Sequence, residues 1–239
     1  GQAVAVIPMF GTLTQHAGLM QRTSGGTSTE EFSKDFRRAI ADPQIGSVVL
    51  HVHSPGGSVY GVEEAANLVY EGRQKKPVIA SVNSMCASGA YWIASQASQI
   101  AVTPGGEVGS IGVISAHQDV SKAQEAEGVK TTLVAIPAKK AQFSPYGPLT
   151  EEAVAELQTR NQHTYERFTG AIARGRGVTQ GQVKSSDFGG GGMVKADSAV
   201  AAGMADKVAT LDQVISALLA GNAGKSGRNR SAVALAELE

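Results

Sequence analysis

Two short runs, Ser47–Val52 and Pro77–Val82, are apolar at nearly every position rather than at alternate ones. A strand with one wet face alternates polar and apolar residues, and a strand covered on both faces does not. These runs therefore predict central strands of a mainly parallel sheet with helices outside it. Each is followed by a loop of small residues and then by a helical stretch. Ser54-Pro55-Gly56-Gly57 leads to a helix over about Val62–Arg73, and Asn83-Ser84-Met85-Cys86-Ala87-Ser88-Gly89 to one ending near Ala97. Strands alternating with helices define an α/β chain.

The flanking sequence fits that scheme. Val4–Ile7 is a short β-type run ended by Pro8, and Ser28-Thr29-Glu30-Glu31 is a capping box before a helix with Phe32, Phe36 and Ile40 on one face. Short strands are expected at Ile100–Thr103, Ile111–Ser115 and Lys130–Ile136, with a helix at Ser121–Glu127 between the last two. Thr150 caps a long helix whose apolar stripe is Val154, Leu157, Tyr165, Phe168 and Ile172. Helices over Ala196–Ala202 and Leu211–Leu219 follow. Residues 1–220 read as one domain. Residues 221–239 turn small and polar, and read as a flexible tail or linker.

Composition excludes several functions. Lysine plus arginine is 21 and aspartate plus glutamate is 21, so the 239-residue chain lacks the basic excess of a dedicated nucleic-acid binder. One cysteine, Cys86, excludes a disulfide framework and a cysteine-based zinc site within one chain. Neither a metal nor a cofactor is expected. No run approaches the roughly 18 apolar residues of a membrane span, and the start, Gly1-Gln2-Ala3-Val4, has no charged region of the signal-peptide kind.

The two loops after the central strands lie where parallel sheets place their sites. Gly56-Gly57 permits backbone geometry that turns N–H groups toward a ligand. Ser88, flanked by small residues at a helix start, can project its hydroxyl into a cleft, with the Gly89 N–H and that of Gly56 or Gly57 as an oxyanion hole. An ordinary serine N-cap is the competing reading of Ser88. Ala90 and Cys86 exclude the Gly-x-Ser-x-Gly elbow of α/β-hydrolases. A nucleophilic serine needs a base. His51 and His53 share one side of a strand and read as packing residues. His117, with Asp119 nearby, can complete a Ser-His-Asp set. Lys139 and Lys140 follow a β-type run and are the other candidates.

Several stretches then match one family in order: Ser54-Pro55-Gly56-Gly57, Met85-x-Ala87-Ser88-Gly89-x-Tyr91-x-Ile93-Ala94, Gly109-Ser110-Ile111-Gly112-Val113 and Lys140-x-x-x-Ser144-Pro145. Over about residues 4–210 the chain resembles the signal peptide peptidase A family of serine peptidases. The resemblance implies a Clp-protease/crotonase-like fold and a Ser–Lys dyad. By position, Ser88 is the nucleophile and Lys140 the general base, four residues before Ser144-Pro145. Ser110 orients the lysine amine, and Gly57 (or Gly56) with Gly89 supplies the oxyanion donors. An ordinary lysine, with a pKa of about 10.4, is a poor base, so such a dyad demands a desolvated amine. Ala90 and Gly189–Gly192 depart from the family's pattern. The resemblance also implies a homo-oligomeric ring and polypeptide substrates.

A compact member with no visible anchor is similar to the capsid-assembly (prohead) protease branch of tailed phages and prophages. These cleave scaffold and head proteins inside the procapsid, in the host cytoplasm. A cellular, membrane-associated peptidase that degrades signal peptides is the alternative within the family. Outside it stand a Clp-like enzyme using His117 and Asp119, a crotonase-like acyl-CoA binder, and an inactive binding protein.

Overall fold

A computed structural model describes residues 3–18 and 25–221. The tail expected from Gly221 therefore lies, from residue 222 onward, outside the described residues. The chain falls into two compact units, residues 1–112 with 168–239, and residues 113–167.

The larger unit is built on one sheet. Its strands are β1 (Ala3–Thr14), β2 (Thr27–Ser28), β3 (Ile45–Gly57), β4 (Val78–Ala87), β5 (Gln99–Val102), β6 (Glu107–Gly109), β7 (Met193–Lys195) and β8 (Lys207–Val208). The main order is β2-β1-β3-β4-β5-β8, with β6 on β4 and β7 on β6. Every pairing is parallel except β6 with β7. The central runs behave as their composition demands: Val48, Val49, Leu50, Val78, Ile79, Ala80 and Val82 are all buried.

Helices α1 (Thr29–Ala41), α2 (Val62–Gly72) and α3 (Gly89–Ala94) contribute much of the core. Ser28 caps α1 by accepting the Glu31 N–H at 3.3 Å, and Phe32 and Phe36 are buried. On the other face, the helix over Leu211–Leu219 lays Val214 and Leu218 against Val49, Ile79 and Ala101.

Two strand expectations shift. Pro8 does not end β1, which continues to Thr14. Beyond Pro8 the strand has β3 on one side, and β2 joins only at Leu13 and Thr14. An edge position needs no N–H from proline. The strand expected at Ile111–Ser115 is instead Glu107–Gly109. Gly109 and Ser110 have φ of 133° and 51°, which breaks the extended run before Ile111.

The smaller unit holds α4 (Ser121–Ala126), a 3-10 turn at Ala138–Ala141 and the first turns of α5 (Glu151–Arg176). Lys130–Ile136 forms no strand. Val134 and Ile136 are 90% and 91% exposed, and a strand does not persist without a partner. Of the expected α5 stripe, Phe168 and Ile172 are buried, Leu157 and Tyr165 half-buried and Val154 exposed. The buried pair belongs to the turns that return to the sheet unit.

Candidate active site

Ser88 stands between the end of β4 and the start of α3. Its dihedrals, φ 52° and ψ −124°, lie outside the extended region of an N-cap, and its side chain makes no capping bond. The ordinary N-cap reading therefore fails. A non-glycine residue at positive φ is strained and must be held there by its surroundings. Part of that hold is the Ser88 N–H, which donates to the Gly109 carbonyl at 2.8 Å.

The helix behind Ser88 is anchored from several sides. Tyr91 is fully buried and donates its hydroxyl to the Met204 carbonyl at 2.9 Å. Trp92 stacks on Phe168 with centroids 4.6 Å apart. Each such buried ring contributes on the order of 2 kcal/mol. Beneath them, Arg176 grips Asp206 through two bonds of 2.8 and 3.0 Å, and Asp206 also accepts the Ile100 N–H at 2.7 Å. Arg73 donates to the Gln96 and Ala97 carbonyls just past the C-terminus of α3, each at 3.2 Å.

The glycine loop at the end of β3 meets Ser88 directly. Gly56 has φ 88°, and a Cβ there would fall 2.7 Å from the Ser88 Cβ and 2.9 Å from the Gly89 nitrogen. Gly57 is equally confined, since its Cβ would fall 2.2 Å from the Leu13 carbonyl oxygen. The Gly56 N–H donates to Ser54 Oγ at 3.1 Å, and the Ser58 N–H to the Leu13 carbonyl at 2.9 Å. The Gly57 N–H lies between these two anchored groups. Gly89 opens α3, and its N–H has no acceptor within the helix.

Ser110 follows Gly109 at φ 51°, with its N–H donating to the Gly192 carbonyl at 2.8 Å. The unusual Gly189–Gly192 stretch thus supports this turn. Ser88, Gly56, Gly57, Gly89 and Ser110 all belong to the sheet unit. Lys140 belongs to the smaller unit, on its 3-10 turn.

Within that smaller unit the two lysines differ. Lys139 pairs with Glu156 at 2.7 Å. Hydrogen bonding and charge from Glu156 push the Lys139 amine upward, so it stays protonated. Among the described residues Lys140 has no ion-pair partner. His117 Nε2 is engaged with the Gly147 carbonyl at 3.0 Å, while Asp119 accepts the Ser121 N–H at 2.9 Å.

His51 meets Phe10 edge-on at 4.9 Å, and His53 Nδ1 donates to the Asn83 carbonyl at 2.8 Å. Cys86 is fully buried, and burial pushes its thiol up. Among the described residues no group of acidic, histidine or cysteine side chains could hold a metal ion, and no helix is long and apolar enough to cross a membrane. Sequence reasoning missed Ser54 as an individual residue. Its only signal is a small polar side chain at an inward position of a buried strand.

The sheet unit is an α/β fold of the Clp-protease type. A membrane-bound stomatin-specific protease, 1510-N, matches with a TM-score of 0.55 at 13% identity, over 89% of this chain and 83% of that one. A ClpP1 from Listeria monocytogenes matches with a TM-score of 0.50 at 15% identity, over 86% and 91%. The chain belongs to peptidase family S49, whose sequence pattern matches residues 71–223. Capsid assembly protease C of Escherichia phage lambda is 30% identical over 215 residues, covering 90% of this chain. The chain spans 48% of that relative's length.

Proposed function

We propose that this chain is a serine endopeptidase in which Ser88 is the nucleophile, Lys140 the general base and Ser110 the group that orients the lysine amine. The observation that carries the reading is Ser88 itself, uncapped at positive φ with Gly56 against its Cβ. That arrangement serves no helix cap and leaves the hydroxyl available. Membership of a peptidase family supports the reaction class.

In the proposed reaction, the neutral amine of Lys140 takes the Ser88 Oγ proton as the oxygen attacks a peptide carbonyl. Negative charge on the former carbonyl oxygen is met by the N–H groups of Gly57 and Gly89. We assign Gly57 rather than Gly56, because the Gly56 N–H is already committed to Ser54. Preorganised donors of this kind contribute about 3–4 kcal/mol each to transition-state stabilisation. The protonated amine then gives its proton to the departing nitrogen. Water repeats the sequence on the acyl-enzyme and restores Ser88.

The likeness to a phage capsid assembly protease supports processing of scaffold or head proteins during capsid maturation, within the procapsid in the host cytoplasm. A homo-oligomeric ring is part of the proposal. Ile114, Val134 and Ile136 are more than 90% exposed or close to it, at 94%, 90% and 91%, and apolar exposure of that kind suits contact with a neighbouring copy. The test is cleavage of casein and short peptides from pH 6 to 10 by wild type, Ser88→Ala, Lys140→Ala and His117→Ala. Loss of activity in the first two variants, and its retention in the third, is expected. Near-full activity in Lys140→Ala would overturn the dyad.

A further inference from the structure

β3 slips against β1 beside the glycine loop. Phe10 faces His53, but Thr12 faces Gly56, so β3 carries an extra residue there. Such a bulge redirects the strand and is common next to active sites. Ser54 sits within it, fully buried. Its Oγ donates to the Gly11 carbonyl at 2.6 Å and accepts the Gly56 N–H at 3.1 Å. One hydroxyl therefore ties the bulge to both strands.

We propose that Ser54 is a positioning residue for the oxyanion hole. The inference rests on the reading of Ser88 and Gly57 given above. The Gly56-Gly57 pair lies in register with Thr12 and Leu13 of β1 and carries two further tethers. One is the Ser54 hydroxyl, and the other is the Ser58 N–H on the Leu13 carbonyl. Pro55, between Ser54 and the glycines, has no N–H with which to replace the first tether. Glycine is the most mobile residue in the chain's vocabulary, so a Gly-Gly pair that loses one tether gains freedom to tilt its peptide planes. Without the hydroxyl, the buried Gly56 N–H loses its side-chain acceptor. Its peptide plane then tilts, and the Gly57 N–H leaves its aim. A catalytic hydrogen-bond donor that is misdirected loses transition-state stabilisation and leaves ground-state binding alone.

The experiment compares wild type, Ser88→Ala, Ser54→Ala and Ser54→Thr on one chromogenic peptide, with kcat and KM resolved. A peptide aldehyde that mimics the tetrahedral adduct is titrated in parallel. In Ser54→Ala, kcat is expected to fall about 10- to 100-fold, somewhat less than outright removal of an oxyanion donor. KM stays within about twofold, aldehyde affinity falls by the same factor as kcat, and Ser54→Thr, which keeps the hydroxyl, recovers most of the loss. A lowered Tm with unchanged kcat, measured well below that Tm, would overturn the proposal and leave Ser54 a packing residue. Should Ser54→Ala not fold, Ser54→Cys keeps a weak donor; an intermediate kcat supports the role and a wild-type kcat overturns it. Retained hydrolysis in Ser88→Ala would instead overturn the site assignment beneath it, whatever Ser54 does.

Discussion

Replacing Gly56 by alanine separates steric from chemical demands at the site. The new Cβ would lie 2.7 Å from the Ser88 Cβ, 2.8 Å from the Ala87 carbonyl oxygen and 2.9 Å from the Gly89 nitrogen. Comfortable carbon contacts begin at about 3.5 Å, so the two loops must part by about 1 Å. Holding an L-residue at φ 88° adds about 1–2 kcal/mol, and forcing a methyl into a packed site adds about 1–3 kcal/mol. At about 2–4 °C per kcal/mol for a domain of this size, Tm should fall by about 4–20 °C. Loop separation displaces the proposed oxyanion donors by a similar 1 Å, and a displacement of that size costs about 100-fold in rate. Gly105→Ala is the control, since nothing lies within 4 Å of its Cβ position. Peptide hydrolysis at 20 °C and thermal melting of both variants are the assays. A folded Gly56→Ala enzyme with kcat/KM within about threefold of wild type would refute the steric argument, since relaxation would then occur without moving the donors.

Three further predictions concern the scaffold. Asp206→Ala leaves the Arg176 guanidinium, 4% exposed, without its carboxylate. Breaking a buried pair from one side costs about 3–5 kcal/mol, so thermal melting should show a loss on the order of 10 °C, and a loss under 2 °C would contradict it. Removing the exposed Lys195–Glu107 pair should change Tm little. In the smaller unit, the Lys139 hydrogen bond, then that of Gln142, holds the Glu156 carboxyl down to about 2. A depressed carboxylate contributes stability above its unfolded value of about 4.3 and loses it as pH falls toward the folded value. Carboxyl NMR should find the Glu156 midpoint near 2 in wild type and higher in Lys139→Met, and an unmoved midpoint would refute the pairing.

How much was legible in the sequence depended on how far each residue's partners lie along the chain. Continuous apolar runs identified β3 and β4 because burial on both faces is written into the run itself. The long helix over Glu151–Arg176 and the cap at Ser28 were legible for the same local reason. Lys130–Ile136 has the composition of a strand, but a strand is a property of pairs, and no neighbouring strand meets this run among the described residues. Gly56 could be singled out because glycine's freedom is a property of one residue. Ser88 could not be resolved in this way. A serine at a helix start reads equally as cap or nucleophile, and the choice lies in its φ and ψ. Those angles are held partly by the Gly109 carbonyl, from a strand formed later in the chain. Ser54 is the extreme case. Its hydroxyl reaches Gly11, 43 residues away, across a bulge that exists only once β1 and β3 have paired. The parts of the proposed site that would supply atoms to the chemistry were therefore visible as residue types. The part proposed to aim those atoms is set by register, and register belongs to the folded sheet.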